Sequence, residues 1–390
     1  MTRPLQGRCR APALISCAFL GIGCGRLRGS QEDPSEAVVR QYATHLHANY
    51  GDSVAQLTAL KATVEAFVEG PTPEGFVACR KAWLSAHRWY GQGEISRFYG
   101  GPIDRAQVGM NEWPIDENFI DYTIGNPKGG LINDPATFPQ ITPPALASAD
   151  EKGVETVSTG FHAVEFLLWG QRADQKEGPG TRPYTDYVDG GTAANQDRRR
   201  AYLSAATSML LDDMRGLEAE WDLSDKNSYA SHLVGDKPHD ALTKIFRGLS
   251  QMAVSELFYE RLFDPIVSLD RKDEESCFSE STHNDLVANA LSVEDVYVGH
   301  YRTSEGTVLQ GPSLSDLVRA KSPALDGEFR AQIGAVRAAI EAIPPPFDHA
   351  VLAPAASAEN RAVQTAVTAF QPVQGTLGRI AQALGIVNNL

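Results

Sequence analysis

From Val38 the chain reads VVRQYATHLHANYGDSVAQLTALKATVEAFV, with apolar side chains returning at every third or fourth position for several turns. That spacing lays one apolar stripe along a helix and does not suit a strand, whose two faces alternate at every second residue. PTPEG interrupts the run, and Pro73 opens a second of the same kind, FVACRKAWLSAHRWYGQGEISRFY. The pattern returns in QDRRRAYLSAATSMLLDDMRGLEAEW, ALTKIFRGLSQMAVSELFYERLFDPI, FRAQIGAVRAAIEAI and ENRAVQTAVTAFQPVQGTLGRIAQAL. No run alternates convincingly, and no β-hairpin dipeptide sits between two such runs. The chain is therefore expected to be all-α. A polar break at residues 223–238 divides it into two four-helix-bundle-like halves packed together, 36–222 and 223–390.

The formal charge of −14 over 390 residues repels phosphate backbones, so nucleic acid is not an expected partner. The N-terminus points to export. MTRPLQGRCR is basic and lacks acids, and APALISCAFLGIGC is an apolar run of signal-peptide length. It is too short for a membrane-spanning helix, which needs about 20 residues. LISC, ending at Cys17, and GIGC, ending at Cys24, both resemble the cleavage site of a bacterial lipoprotein. The longer apolar core favours Cys24 as the lipidated residue, with 1–24 as the signal and 25–35 as a tether. The expected location is the periplasm or outer membrane, with membrane contact through the lipid anchor only. Cys79 and Cys277 are left as either a disulfide pair or two buried thiols.

GFHAVEFLLWG, residues 160–170, sets two ionisable side chains in an otherwise apolar helical run. His162 and Glu165 are three residues apart and share a helix face. A carboxylate in such surroundings is costly unless it is paired, hydrogen-bonded or bound to a cation. An imidazole and a carboxylate converging on one point make half of a transition-metal site. A bare HxxE more often satisfies itself or a nearby arginine. HExxH is absent, and Phe166 stands where an HxxEH motif needs its second histidine. Gly160 would let another backbone approach closely. Three other stretches place polar residues beside apolar helix: YGQGEISRFYGGPID with NEWPIDENFIDYTI, SELFYERLFDP, and ESCFSESTHNDL. Together they mark a polar seam between helices, where bundles build metal or ligand sites.

These segments, with VYVGHY, GPSLSDLV and IPPPFD, resemble the imelysin family of exported bacterial proteins, whose motif is GxHxxE. The resemblance covers nearly all of the chain after the tether. It implies an all-helical fold of two bundle-like halves, with a site near their junction. It also implies that His162 and Glu165 are metal ligands, joined by Glu94 and Asp116, with Glu256 and His283 as further ligand-site candidates. Where the family more often has a histidine before SCFS, this chain has Glu275. The expected cofactor is a divalent or ferric ion, iron or zinc. The expected partners are that ion and a peptide or an iron-uptake protein. The implied function is metal or iron handling in the cell envelope. The alternatives are a zinc-type metallopeptidase and a module that binds a non-metal ligand or partner.

Overall fold

Asp33 accepts a hydrogen bond from the Ser35 amide and Pro34 occupies the first turn, so the last residues of the expected tether begin helix α1, Pro34–Glu69. Thr72 and Pro73 start α2, Pro73–Gly93, in the same way, and Glu94–Ser96 extend it as a 3₁₀ turn. The computed structural model describes residues 33–149, 156–172 and 178–387. The signal segment, Cys17, Cys24 and tether residues 25–32 lie outside them. Short helices follow: α3 Pro102–Asn111, α4 Glu117–Ile120, α5 Pro143–Ala149 and α6 Gly160–Trp169. Then come α7 Gln196–Glu220, α8 Tyr229–Gly235 and α9 Pro238–Gln251. α9 runs directly into a π-helix, Met252–Phe263, and then α10, Asp264–Ser268. The chain closes with α11 Thr282–Val298, α12 Leu314–Lys321, α13 Pro323–Glu341, α14 Phe347–Leu352, α15 Ala358–Phe370 and α16 Val373–Leu384. The fold is all-α, as the periodicity predicts.

One exception is a hairpin between α11 and α12, with β1 (His300–Arg302) antiparallel to β2 (Val308–Gln310). Three-residue strands are too short to show alternation in a sequence, which is why none was expected there. Buried Tyr301 anchors the hairpin by donating to Asp52 Oδ2 on α1 at 2.7 Å.

α1 packs against α2 and α7, and also against α9 from the later part of the chain. α2 packs against α6 on one side and α11 on the other. The polar groups of the site gather where α2, α6, α11 and the π-helix meet.

Candidate metal centre

Every residue of α6 is buried, so both ends of this ten-residue helix must satisfy their backbone groups without water. At the C-terminus, Arg80 donates to Leu168 O at 2.9 and 3.0 Å. Tyr187 Oη donates to Leu167 O at 2.6 Å, and the Arg182 amide to Trp169 O at 2.8 Å. At the N-terminus, Gly160 has φ +91°, and a Cβ there would lie 2.8 Å from Met110 O. Conformation and contact both exclude a side chain, so the motif's glycine lets α3 approach the start of α6.

His162 Nδ1 and Glu165 Oε2 are 2.8 Å apart, one turn along this helix. The other oxygen, Oε1, accepts from the Ser279 amide at 2.8 Å and from its hydroxyl at 2.6 Å. Glu165 therefore has both oxygens engaged and stands behind the imidazole. Burial lifts its carboxyl to about 8, against the two Ser279 hydrogen bonds. Burial, then the charge of neighbouring His87, holds the His162 imidazole well below its ordinary range. His162 Nε2, at the far side of the ring, is buried and has no hydrogen-bond partner.

His162 belongs to a group of three residues. Ligand atoms of His87, His162 and Glu275 all lie within 4.8 Å of one another, and all three residues are buried. His87 Nδ1 is 3.0 Å from Asp285 Oδ1, and His87 Nε2 is 3.0 Å from Asn111 Oδ1. The Asn111 Nδ2 donates to Glu275 Oε1 at 2.9 Å, so one amide bridges two of the three. Burial opposes charge on His87, but Asp285, then Glu275 and Glu165, raise it to about 9. Burial also raises Glu275 to about 8 although Arg261 opposes it. Two imidazoles and a carboxylate form a donor set suited to iron, zinc and other borderline divalent ions. Carboxylates behind both rings supply the outer support that metal-bound histidines ordinarily have. The residues fit a metal.

A family model described as Imelysin (Peptidase_M75) matches residues 46–374. The chain belongs to the imelysin family. It is 26% identical over 342 residues to iron-regulated protein A of Synechococcus elongatus, covering 85% of this chain and 81% of that protein. Among solved structures it is similar to one described as an iron-regulated protein A precursor from Parabacteroides distasonis. The TM-score is 0.70 at 19% identity, over 90% of this chain and 95% of that one. An imelysin-like protein from Psychrobacter arcticum gives a TM-score of 0.64 at 14% identity, over 91% and 98%. These two likenesses establish the shared all-helical fold.

The remaining residues that the imelysin motifs singled out have other partners. Glu94 is held bidentately by Arg261 at 2.7 and 2.9 Å. Burial alone would raise its carboxyl, but Arg261 lowers it to about 2. Glu94 thus balances the arginine that also lies 2.9 Å from Glu275 Oε2. Glu256 Oε1 sits 2.5 Å from Arg97 Nη1 and 3.3 Å from Arg261 Nη2. The π-helix explains how Glu256 and Arg261, five residues apart, meet on one face, because its hydrogen bonds run i to i+5. Asp116 caps α4 by accepting from the Asn118 amide at 3.0 Å. The His283 Nε2 is 3.0 Å from Ile340 O. Neither Asp116 nor His283 is part of the three-ligand group. Cys79 and Cys277 are both buried and unbridged.

His87, Glu275, Asp285 and Asn111 were not among the expected site residues. A signal for His87 existed: it falls on the buried stripe of α2 formed by Phe76, Cys79, Trp83, Ala86 and Tyr90, as anomalous there as His162 is in α6. Glu275 was marked only by standing where the family more often has a histidine, at the head of ESCFSESTHNDL.

Proposed function

We propose that this imelysin-family chain binds one transition-metal ion through His87, His162 and Glu275 and serves in iron handling at the cell envelope. The observations that carry the reading are His162 Nε2, a buried ring nitrogen without a partner, and the convergence of His162 with a second imidazole and a carboxylate. Glu165 fixes the ring from behind. With Asp285 at Nδ1, the His87 nitrogen left for a metal would be Nε2, which in this structure faces the Asn111 amide. The name of the Synechococcus relative and that of the Parabacteroides structure support iron as the cargo. A metallopeptidase reading is less well supported by the geometry. Hydrolysis needs a free general base beside the metal-bound water, and Glu165 is committed to His162 and Ser279.

Metal content after loading with Fe²⁺ or Zn²⁺ and dialysis tests this. Wild type retains one ion per chain. Glu165→Gln keeps the ligand but removes its orienting charge, and weakens binding by about 10–100-fold. His162→Ala weakens it further. Equal, negligible metal in wild type and folded variants removes both the metal-binding and the metallopeptidase readings. Chelator-sensitive cleavage of an unfolded protein by the loaded wild type would instead favour the peptidase.

The same proposal places the protein at a membrane by a lipid on Cys24, on the strength of the basic, apolar and cysteine-terminated N-terminus. Cys24→Ser is expected to move the protein from the membrane fraction to the soluble one. Unchanged fractionation of both Cys24→Ser and Cys17→Ser would rule out the anchor.

A further inference from the structure

A cavity of about 550 Å³ opens from the surface onto the centre. Its floor includes Asn111, Arg261 and Glu275, and Trp113 forms part of one wall. Of the three proposed ligands Glu275 lines the cavity, and the Trp113 ring in its wall lies 5.0 Å from the His162 ring. The charges in this cavity fall into two groups. On the floor, Arg97 and Arg261 are ion-paired with Glu94, Glu256 and Glu275. Toward the rim stand Glu112, Glu260, Asp264 and Asp273, and among the described residues none of these four has an ion-pair partner. Glu260, Asp264 and Asp273 are exposed, and Lys272 is the one lysine among the described residues that line the cavity.

Carboxylates not neutralised by a neighbour project their field into the cavity, and low-dielectric walls focus it. The floor supplies the independent sign of a ligand, because Glu275 is only 5% exposed there, its Oε2 accepts no hydrogen bond, and a ligand atom of it lies within 4.8 Å of one on each of His87 and His162. We propose that this cavity is a cation-selective vestibule that delivers metal to the centre as the hydrated ion and disfavours anionic metal chelates. The inference rests on the metal-binding reading above and adds the form in which the metal arrives. Inner-shell ligand exchange sets the final step. Its observed rate is multiplied by the fraction of time an ion waits outside the ligands, and the rim charges raise that fraction.

Stopped-flow binding of Co²⁺ to the metal-free full-length protein tests the proposal, with Glu260→Gln, Asp264→Asn and Asp273→Asn combined. All three positions are exposed and outside the ligand group. At low ionic strength the triple variant should associate about tenfold more slowly, with an unchanged dissociation rate. The wild-type association rate should fall toward that of the variant as salt is raised. Wild type should take Co²⁺ from its nitrilotriacetate complex, an anion, only as fast as free ion is released from it. A wild-type association rate in the triple variant overturns the vestibule while leaving the metal site intact, as does direct uptake from the anionic complex. Absence of Co²⁺ binding by the wild type overturns both.

Discussion

Asp121→Ala is expected to destabilise the protein by about 3–5 kcal/mol, the cost of leaving a buried ion pair without one of its partners. The Asp121 side chain is fully buried and accepts from Arg182 Nη1 at 2.6 Å, from Arg199 Nε at 2.7 Å and Nη2 at 2.9 Å, and from Asn133 at 3.0 Å. Without the carboxylate, the hydrogen-bond partners that the two buried guanidinium groups keep among the described residues are Asp186 and backbone carbonyls. The damage would reach the candidate metal centre. The Arg182 amide caps the C-terminus of α6, and its guanidinium lies 5.3 Å from the Phe166 ring. Urea unfolding of the variant is the measurement. A loss below 1 kcal/mol would mean that this network is not what holds the end of α6.

The second large effect is an opposition between stability and metal affinity as pH rises. Glu165 and Glu275 are raised to about 8 and His87 to about 9 in the folded, metal-free protein. All three lie above their unfolded values, so between pH 6.5 and 9 the folded state binds more protons than the unfolded one. Stability of the metal-free protein therefore falls as pH rises through that window. His162 does not reverse the slope, because its lowered value acts only below the ordinary imidazole range. Metal affinity moves the other way. A metal needs neutral His87 and ionised Glu275, and it needs Glu165 ionised so that the proton sits on His162 Nδ1 and Nε2 is free. Each proton released on binding adds about a tenfold gain in affinity per pH unit below its pKa. Affinity is expected to rise by on the order of 100-fold or more from pH 6.5 to 8.5. Parallel titrations of urea midpoint and metal affinity check both slopes. A pH-independent affinity would show that these groups do not release protons to the metal.

The relation between α2 and α6 shows where sequence reasoning stops. His162 stands out because its helix is otherwise wholly apolar. His87 carries the same anomaly within a helix that also has Arg80, Lys81 and Arg88, and there it does not attract notice. The pairing of His162 with Glu165 follows from helix geometry, but the role of Glu165 does not. Two hydrogen bonds from Ser279, a residue 114 positions away, hold the carboxylate behind the ring rather than beside it. Glu94 looks like a ligand in sequence because it is acidic and set among aromatics. Arg261, 167 residues later, accounts for its charge. Glu275, which stands where the family more often has histidine, proves to have a carboxylate oxygen within 4.8 Å of a nitrogen on each of the two imidazoles.

Periodicity, punctuation and motif order therefore determined that the chain is helical and that it belongs with the imelysins, and they singled out 160–165 as the candidate site segment. These signals repeat within a few turns, so a linear sequence contains them. The membership of the candidate metal group, the carboxylates behind its two imidazoles and the acidic cavity beside Glu275 were decided only when α2, α6, α11 and the π-helix came together. A ligand set depends on distances between side chains far apart in sequence, and only tertiary packing fixes those.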